Sequence, residues 1–213
     1  MGYMFAPLIV AMEKLGLVSG PMEKLSHAVK LMKNVREAFR FENATERNLA
    51  KKTAQAIHGK MVAIYGAPDY RRPLVTRWKS QLNATSKVLA LANTYPDVTE
   101  SEISGWELAE TLCSDLGVIV LTDKGDRGEL AQLMAAAKEL LDRFGVIEIE
   151  MRGATSMEKM LYGAYLGDYT SYYLAILNGV DPMRTDNISY VQTRLAGEET
   201  PSAEEVQEQA EES

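Results

Sequence analysis

The chain has 213 residues, 46% of them hydrophobic and 25% charged, with a net charge of −7. That suffices for one hydrophobic core or a core with an appendage. Seven of the 30 acidic residues (Glu198, Glu199, Glu204, Glu205, Glu208, Glu211, Glu212) lie in residues 197–213, which hold no Lys or Arg, leaving 23 acidic and 23 basic residues elsewhere. A neutral body argues against the clustered positive charge that a nucleic acid or an anionic membrane partner requires.

Apolar residues at helical spacing (Phe5, Leu8, Ile9, Met12, Leu15) predict a first helix over residues 3–17, stopped at Gly16. Pro21 can open a second over residues 22–39, with Leu25, Val29, Met32 and Val35 on its apolar face. From Asn43 onward helices and strands alternate. Helices are predicted over residues 43–56, 71–82, 106–113, 128–144, 156–177 and 187–195, and strands over 61–65 (MVAIY), 88–92, 117–121 (GVIVL) and 146–150 (VIEIE). Short apolar strands separated by helices predict a parallel sheet covered on both faces, hence an α/β, three-layer fold. The domain plan is residues 1–42 as leading helices, 43–196 as the α/β domain and 197–213 as an acidic tail. The tail's single apolar residue, Val206, cannot bury enough surface to order it.

Open parallel sheets bind ligands beyond the carboxyl ends of their strands. The segments of interest are therefore residues 66–72, 93–106, 122–127 and 151–155. None contains a GxGxxG or GxxxxGK[ST] phosphate loop, so no nucleotide cofactor is expected. Arg71 and Arg72 are the best anion-site candidates, although adjacent loop arginines are more often simply solvated. Trp78 and Trp106 read as core or interface anchors, and Tyr162, Tyr165, Tyr169, Tyr172 and Tyr173 as a helix face packed on the sheet or a partner. His58 is expected in the last turn of its helix.

The single cysteine, Cys113, excludes an internal disulfide and reads as a small buried hydrophobe in a reduced, cytoplasmic setting. His27 and His58 lack metal-ligand spacing, so no metal site is expected. No apolar run reaches membrane-spanning length. The apolar N-terminal stretch lacks a basic leader and contains Pro7, and Ala6 breaks a myristoylation motif, so no targeting segment is expected.

Three ordered stretches carry a family likeness: RWKSQLNATSK at 77–87, PDVTESEISGW at 96–106 and LGDYTSYYLAILNGVDPMRTDNISYVQTRL at 166–195. Together they resemble the C-terminal half of the bifunctional phosphoglucose/phosphomannose isomerases, a branch of the sugar isomerase (SIS) fold. Their patterns read approximately RWKxQLNENAK, PELNHNEIxGW and LGDYxSxYLAxxxGVDPxxTxxIxxLK. The leading helices look like the connection between that family's two SIS domains.

The resemblance implies a flavodoxin-like parallel sheet and aldose–ketose isomerisation of glucose 6-phosphate and mannose 6-phosphate to fructose 6-phosphate, without a cofactor. A Glu transfers the proton between C1 and C2, a His assists ring opening, and a Thr and a Lys complete the site. Carried onto this chain, the Glu position holds Ala84, the His position Glu100 and the Lys position Gln192, whereas Thr185 is retained. Arg77, Asn83, Lys87 and Glu102 are the retained candidates for contacting substrate. The phosphate pocket belongs to the N-terminal SIS half of the resembled enzymes, about as long again as this domain. The expectation is a sugar-phosphate domain not competent alone, completed by an N-terminal SIS partner or a second copy. The alternative is a non-catalytic sugar-phosphate-binding, regulatory or dimerisation module, and Glu100 or Glu102 could serve as a displaced base.

Overall fold

The computed structural model describes residues 2–112 and 115–197. Cys113 and the acidic residues from 198 onward lie outside the described residues. Four strands, β1 (Met61–Gly66), β2 (Ala90–Thr94), β3 (Leu116–Thr122) and β4 (Val146–Glu150), form an all-parallel sheet in the order β2-β1-β3-β4. Register runs Val62 to Ala90, Val62 to Gly117 and Val118 to Val146. The chain moves outward in both directions from the β1–β3 pair, the doubly wound topology of an α/β domain.

Alternation along the strands separates two cores. Val62 and Ile64 of β1, Ile119 and Leu121 of β3 and Ile149 of β4 face one side. There they meet α3 (Leu49–Ile57), α4 (Arg72–Ser86), α8 (Ser156–Leu177) and the end of α2 (Pro21–Phe39). Ala63, Tyr65, Val118 and Val120 face the other side, against Met134, Ala137 and Leu141 of α7 (Gly128–Leu141) and against Trp106 and Phe144. The sheet is thus the middle of three layers, as its apolar strands predict.

Helix α8 lies where the two-glycine spacing Gly163-x-x-x-Gly167 lets α4 approach. Trp78 is 1% exposed and donates its Nε1 to the Gly163 carbonyl at 2.8 Å. A Cβ on Gly167 would stand 2.7 Å from that nitrogen. Phe39 and the tyrosines of α8 continue the contact: Phe39 and Tyr169 are 5.7 Å apart centroid to centroid, and Tyr173 donates to the Phe39 carbonyl at 2.5 Å. Tyr172 of the same set is turned to solvent.

Several boundaries differ from the sequence reading. Helix α3 starts after Asn48 rather than Asn43. The Asn48 carboxamide accepts from the Lys51 amide and donates to the Arg40 carbonyl, whereas the Asn43 amide is taken by the Glu37 and Ala38 carbonyls closing α2. Strand β2 begins two residues late because the Val88 amide is used to terminate α4 on the Leu82 carbonyl. In α2 it is Ala28, not Val29, that is buried beside Val35 and Phe39. The 93–106 segment is not an open loop: Val98–Glu102 forms a π-helical turn continued by α5 (Ile103–Gly105), and Trp106 follows it. The helix expected from residue 106 begins instead at Ala109, as α6 (Ala109–Leu112), residue 113 lying outside the described residues. At the front, α1 (Gly2–Lys14) leaves Met4 and Leu8 exposed. At the end, α9 (Asp186–Ala196) has no buried residue.

Candidate functional site

A cavity of about 570 Å³ opens between the last turn of α4 and the segment leading from α8 into α9. Asn83, Ala84 and Lys87 form one wall, and Asp181, Arg184, Thr185 and Ile188 stand on the other. Four of the sequence candidates, Asn83, Ala84, Lys87 and Thr185, therefore meet in one place, although Thr185 lies about a hundred residues from the rest.

Local folding explains their positions. Asn83 accepts the Ala90 amide on its Oδ1 at 2.9 Å and so fixes the start of β2 against α4. Lys87 adopts a left-handed conformation (φ 58°) at the end of α4. Its ammonium donates to the Ala84 carbonyl at 2.5 Å and to the Arg184 carbonyl. Arg184 pairs with Asp186 at 2.8 Å, and Asp181 accepts the Met183 amide at 2.8 Å. Thr185 precedes the first residue of α9 with its hydroxyl 3.4 Å from that of Ser189. Asp181, Arg184 and Asp186 were missed from sequence, although they stand in the same GVDPMRTD motif that supplied Thr185.

The remaining candidates are elsewhere. Gln192 is exposed two turns along α9. Arg77 sits two turns before Ala84, bound through NH2 to Asp168 at 2.6 Å, with Gln81 donating to the same carboxylate at 2.9 Å. Burial between the helices raises the Asp168 carboxyl above its ordinary value despite these donors. Glu100 and Glu102 are at the opposite, carboxyl end of β2, roughly 16 Å of strand away. Glu100 is exposed. Both oxygens of Glu102 are committed, one to the Tyr65 hydroxyl at 2.5 Å and the other to the Asn93 amide at 2.7 Å, while Trp106 Nε1 donates to Tyr65 Oη at 3.0 Å. Burial, and then the Glu102 carboxylate, push the Tyr65 phenol well above its ordinary value, so it remains a donor.

The cavity is at the amino ends of the strands, not at the carboxyl ends where the topology directs attention. At the carboxyl ends of β1 and β3 stand the chain's own ion pairs. Arg71, 1% exposed, binds Asp126 through two nitrogens at 2.7 and 2.5 Å, Asp69 at 2.9 Å and the Leu121 carbonyl at 3.4 Å. It is thus neither an anion receptor nor a solvated loop residue. Arg72 opens α4 and is exposed. Asp123 accepts Lys159 at 2.7 Å, the Tyr70 hydroxyl and the Gly125 amide. Burial opposes its ionisation, but these donors prevail and hold its carboxyl at about 2. Among the described residues no group of His, Cys, Asp and Glu gathers to hold a metal ion, and no helix is long and apolar enough to cross a membrane.

A doubly wound four-stranded sheet, with a cavity where the α4 terminus meets the segment after α8, defines an open-sheet α/β domain, and the family match places it in the sugar isomerase (SIS) class. The comparisons with known proteins are specific within that class. The chain belongs to the bacterial phospho-glucose isomerase C-terminal SIS domain family, which it matches over residues 46–195. It is 31% identical over 198 residues to a bifunctional phosphoglucose/phosphomannose isomerase of Caldicellulosiruptor bescii and 26% identical over 197 residues to one of Thermoplasma volcanium. Each alignment takes in 92% of this chain but 58% and 59% of the relative, so the chain spans a little over half their length. Among solved structures it is similar to a glucose-6-phosphate isomerase like protein from Thermus thermophilus. There the identity is 28% and the TM-score 0.66, with 79% of this chain and 57% of that chain covered.

Proposed function

We infer that this chain supplies the C-terminal half of a hexose 6-phosphate site, and that these 213 residues bind the sugar phosphate without isomerising it. In this reading residues 43–196 form the sugar-binding SIS domain, residues 1–42 connect it to an N-terminal SIS half or a second copy, and the setting is the cytoplasm. The observation that carries it is the cavity itself. It gathers Asn83, Lys87 and Thr185 around Ala84, whose methyl group occupies the position where the resembled isomerases carry their proton-transferring Glu.

Aldose–ketose isomerisation requires a base within hydrogen-bond reach of the C1 and C2 protons. Alanine cannot accept a proton, and loss of a general base commonly lowers the rate on the order of 10²–10⁴. Glu102 does not replace it, because its oxygens hold Tyr65 and Asn93 at the far end of β2. The exposed Glu100 is on that same far rim.

Coupled assays of glucose 6-phosphate and mannose 6-phosphate conversion, alongside binding measured by thermal shift with fructose 6-phosphate, test this reading. A ligand that prefers the folded state raises its stability. The expected result is a thermal shift without turnover in the parent, with turnover approached only on introducing Ala84→Glu. Turnover by the parent on the order of 1 s⁻¹ or faster, an ordinary enzymatic rate, or no shift with any hexose 6-phosphate, contradicts it.

A further inference from the structure

Lys87 stands at the helix C′ position, where a left-handed backbone is needed and glycine is the usual solution. Its φ of 58° and ψ of 32° are sterically unfavourable for any residue with a Cβ, and among the described residues it is the non-glycine residue with positive φ. A side chain retained against that cost should have work of its own. Lys87 is exposed and lines the cavity. It donates back to the Ala84 carbonyl of its own helix and across to the Arg184 carbonyl, two residues before α9.

What lies beyond Arg184 is weakly held. No residue of α9 is buried, and Ile188, Val191 and Leu195, one apolar stripe at helical spacing, are all exposed. An eleven-residue helix with no buried residue gains little from burial, and a helix of that length is marginal by itself in water. The connection behind it contains Gly179 in a left-handed conformation and Pro182, and is anchored at its start by Asn178, which donates to the Ser86 carbonyl at 2.8 Å. Residues 181–188 therefore run from that anchor, past the Lys87 contact, into α9, and Asp181 with residues 184–188 lines one side of the cavity.

We propose that Lys87 is a positioning residue, a latch that ties the Arg184 carbonyl to the end of α4 and thereby sets the opening of the cavity. It acts on ligand through the wall it holds, not as a direct phosphate receptor. Its consequence for affinity rests on the cavity being the sugar site, whereas the latch itself does not.

Hydrogen–deuterium exchange of the intact 213-residue chain separates the two. Lys87→Met removes the ammonium and keeps the unfavourable backbone, Lys87→Gly removes both, and Lys87→Arg keeps a cationic donor. The expected result is that Met and Gly each accelerate exchange of the amides of residues 184–196 by about tenfold or more, the scale of one charge-assisted hydrogen bond. Exchange in the four strands stays unchanged, Arg restores protection, and the unfolding midpoint of the Gly variant equals or exceeds the parent's. Fructose 6-phosphate affinity falls about tenfold in the Met variant and is recovered by Arg. Unchanged exchange at 184–196 in the Gly variant, or a Gly variant that loses protection throughout the domain, overturns the latch. If the parent binds no hexose 6-phosphate while the exchange pattern holds, the latch stands and the sugar-site reading falls.

Discussion

Replacing Gly167 by alanine puts a methyl group against the least yielding atoms in its neighbourhood. The new Cβ would lie 2.7 Å from Trp78 Nε1, 2.8 Å from Cε2 and 3.0 Å from Cδ1. The indole is 1% exposed, so it has nowhere to move without dragging α4 away from α8, and it would lose its 2.8 Å hydrogen bond to the Gly163 carbonyl. Overpacking of this kind costs about 1–3 kcal/mol, and a lost buried hydrogen bond about 1 kcal/mol more. The better helix propensity of alanine returns about 1 kcal/mol. The net expectation is a destabilisation of about 1–3 kcal/mol, read as a fall of roughly 0.5–1 M in the urea midpoint at unchanged slope. Gly105→Ala is the matched control: its Cβ would meet nothing within 4 Å, and its φ is not in the left-handed region, so the midpoint should hold or rise. A Gly167→Ala protein as stable as the parent would refute the close-packing role assigned to the two glycines of α8.

Three further outcomes are expected. Asp123, held at about 2 in the folded protein against an ordinary 3.8, contributes stability that is present above pH 4 and is lost as the pH falls toward 2. The amount is about 2 kcal/mol, and Asp123→Asn should flatten that part of a stability–pH profile measured by denaturant titration. Asn48→Ala removes both the cap of α3 and the donor to the Arg40 carbonyl at a fully buried site, at an expected loss of about 1–2 kcal/mol, measurable as a lower thermal midpoint. Arg71→Met leaves Asp69 and Asp126 without their cation and should cost about 3–5 kcal/mol, while fructose 6-phosphate affinity, measured by calorimetry under conditions where the variant is folded, stays that of the parent.

The elements legible in the sequence are those whose identity is decided by local pattern. Helix α8 has the predicted bounds because Thr155 caps it by accepting the Glu158 amide, and because an unbroken run follows to Leu177. Strands β1 and β3 are apolar on both faces and bounded by turn residues. The π-helical turn after β2 was not legible, since its shape depends on Glu102 finding Tyr65 and Asn93 across the sheet end. The choice between Asn43 and Asn48 as a cap could not be read either, because both are good caps and only the end of α2 decides between them. Of the site, the motifs identified Asn83, Ala84, Lys87 and Thr185. Their meeting at the amino ends of the strands depends on the path of residues 178–188, for which no periodic pattern exists. Arg71 was misread for a related reason: its burial follows from Asp126, fifty-five residues later and on a different loop.

The most direct measurement is a titration of the isotope-labelled 213-residue chain with fructose 6-phosphate, followed by amide NMR and by assay of the same sample for isomerised sugar. Saturable shifts concentrated on Asn83, Ala84, Lys87 and residues 181–188, with fructose 6-phosphate unchanged at the end, are the predicted result. Shifts confined to the carboxyl-end loops around Arg71 and Glu100, or accumulation of glucose 6-phosphate or mannose 6-phosphate in the tube, would contradict it.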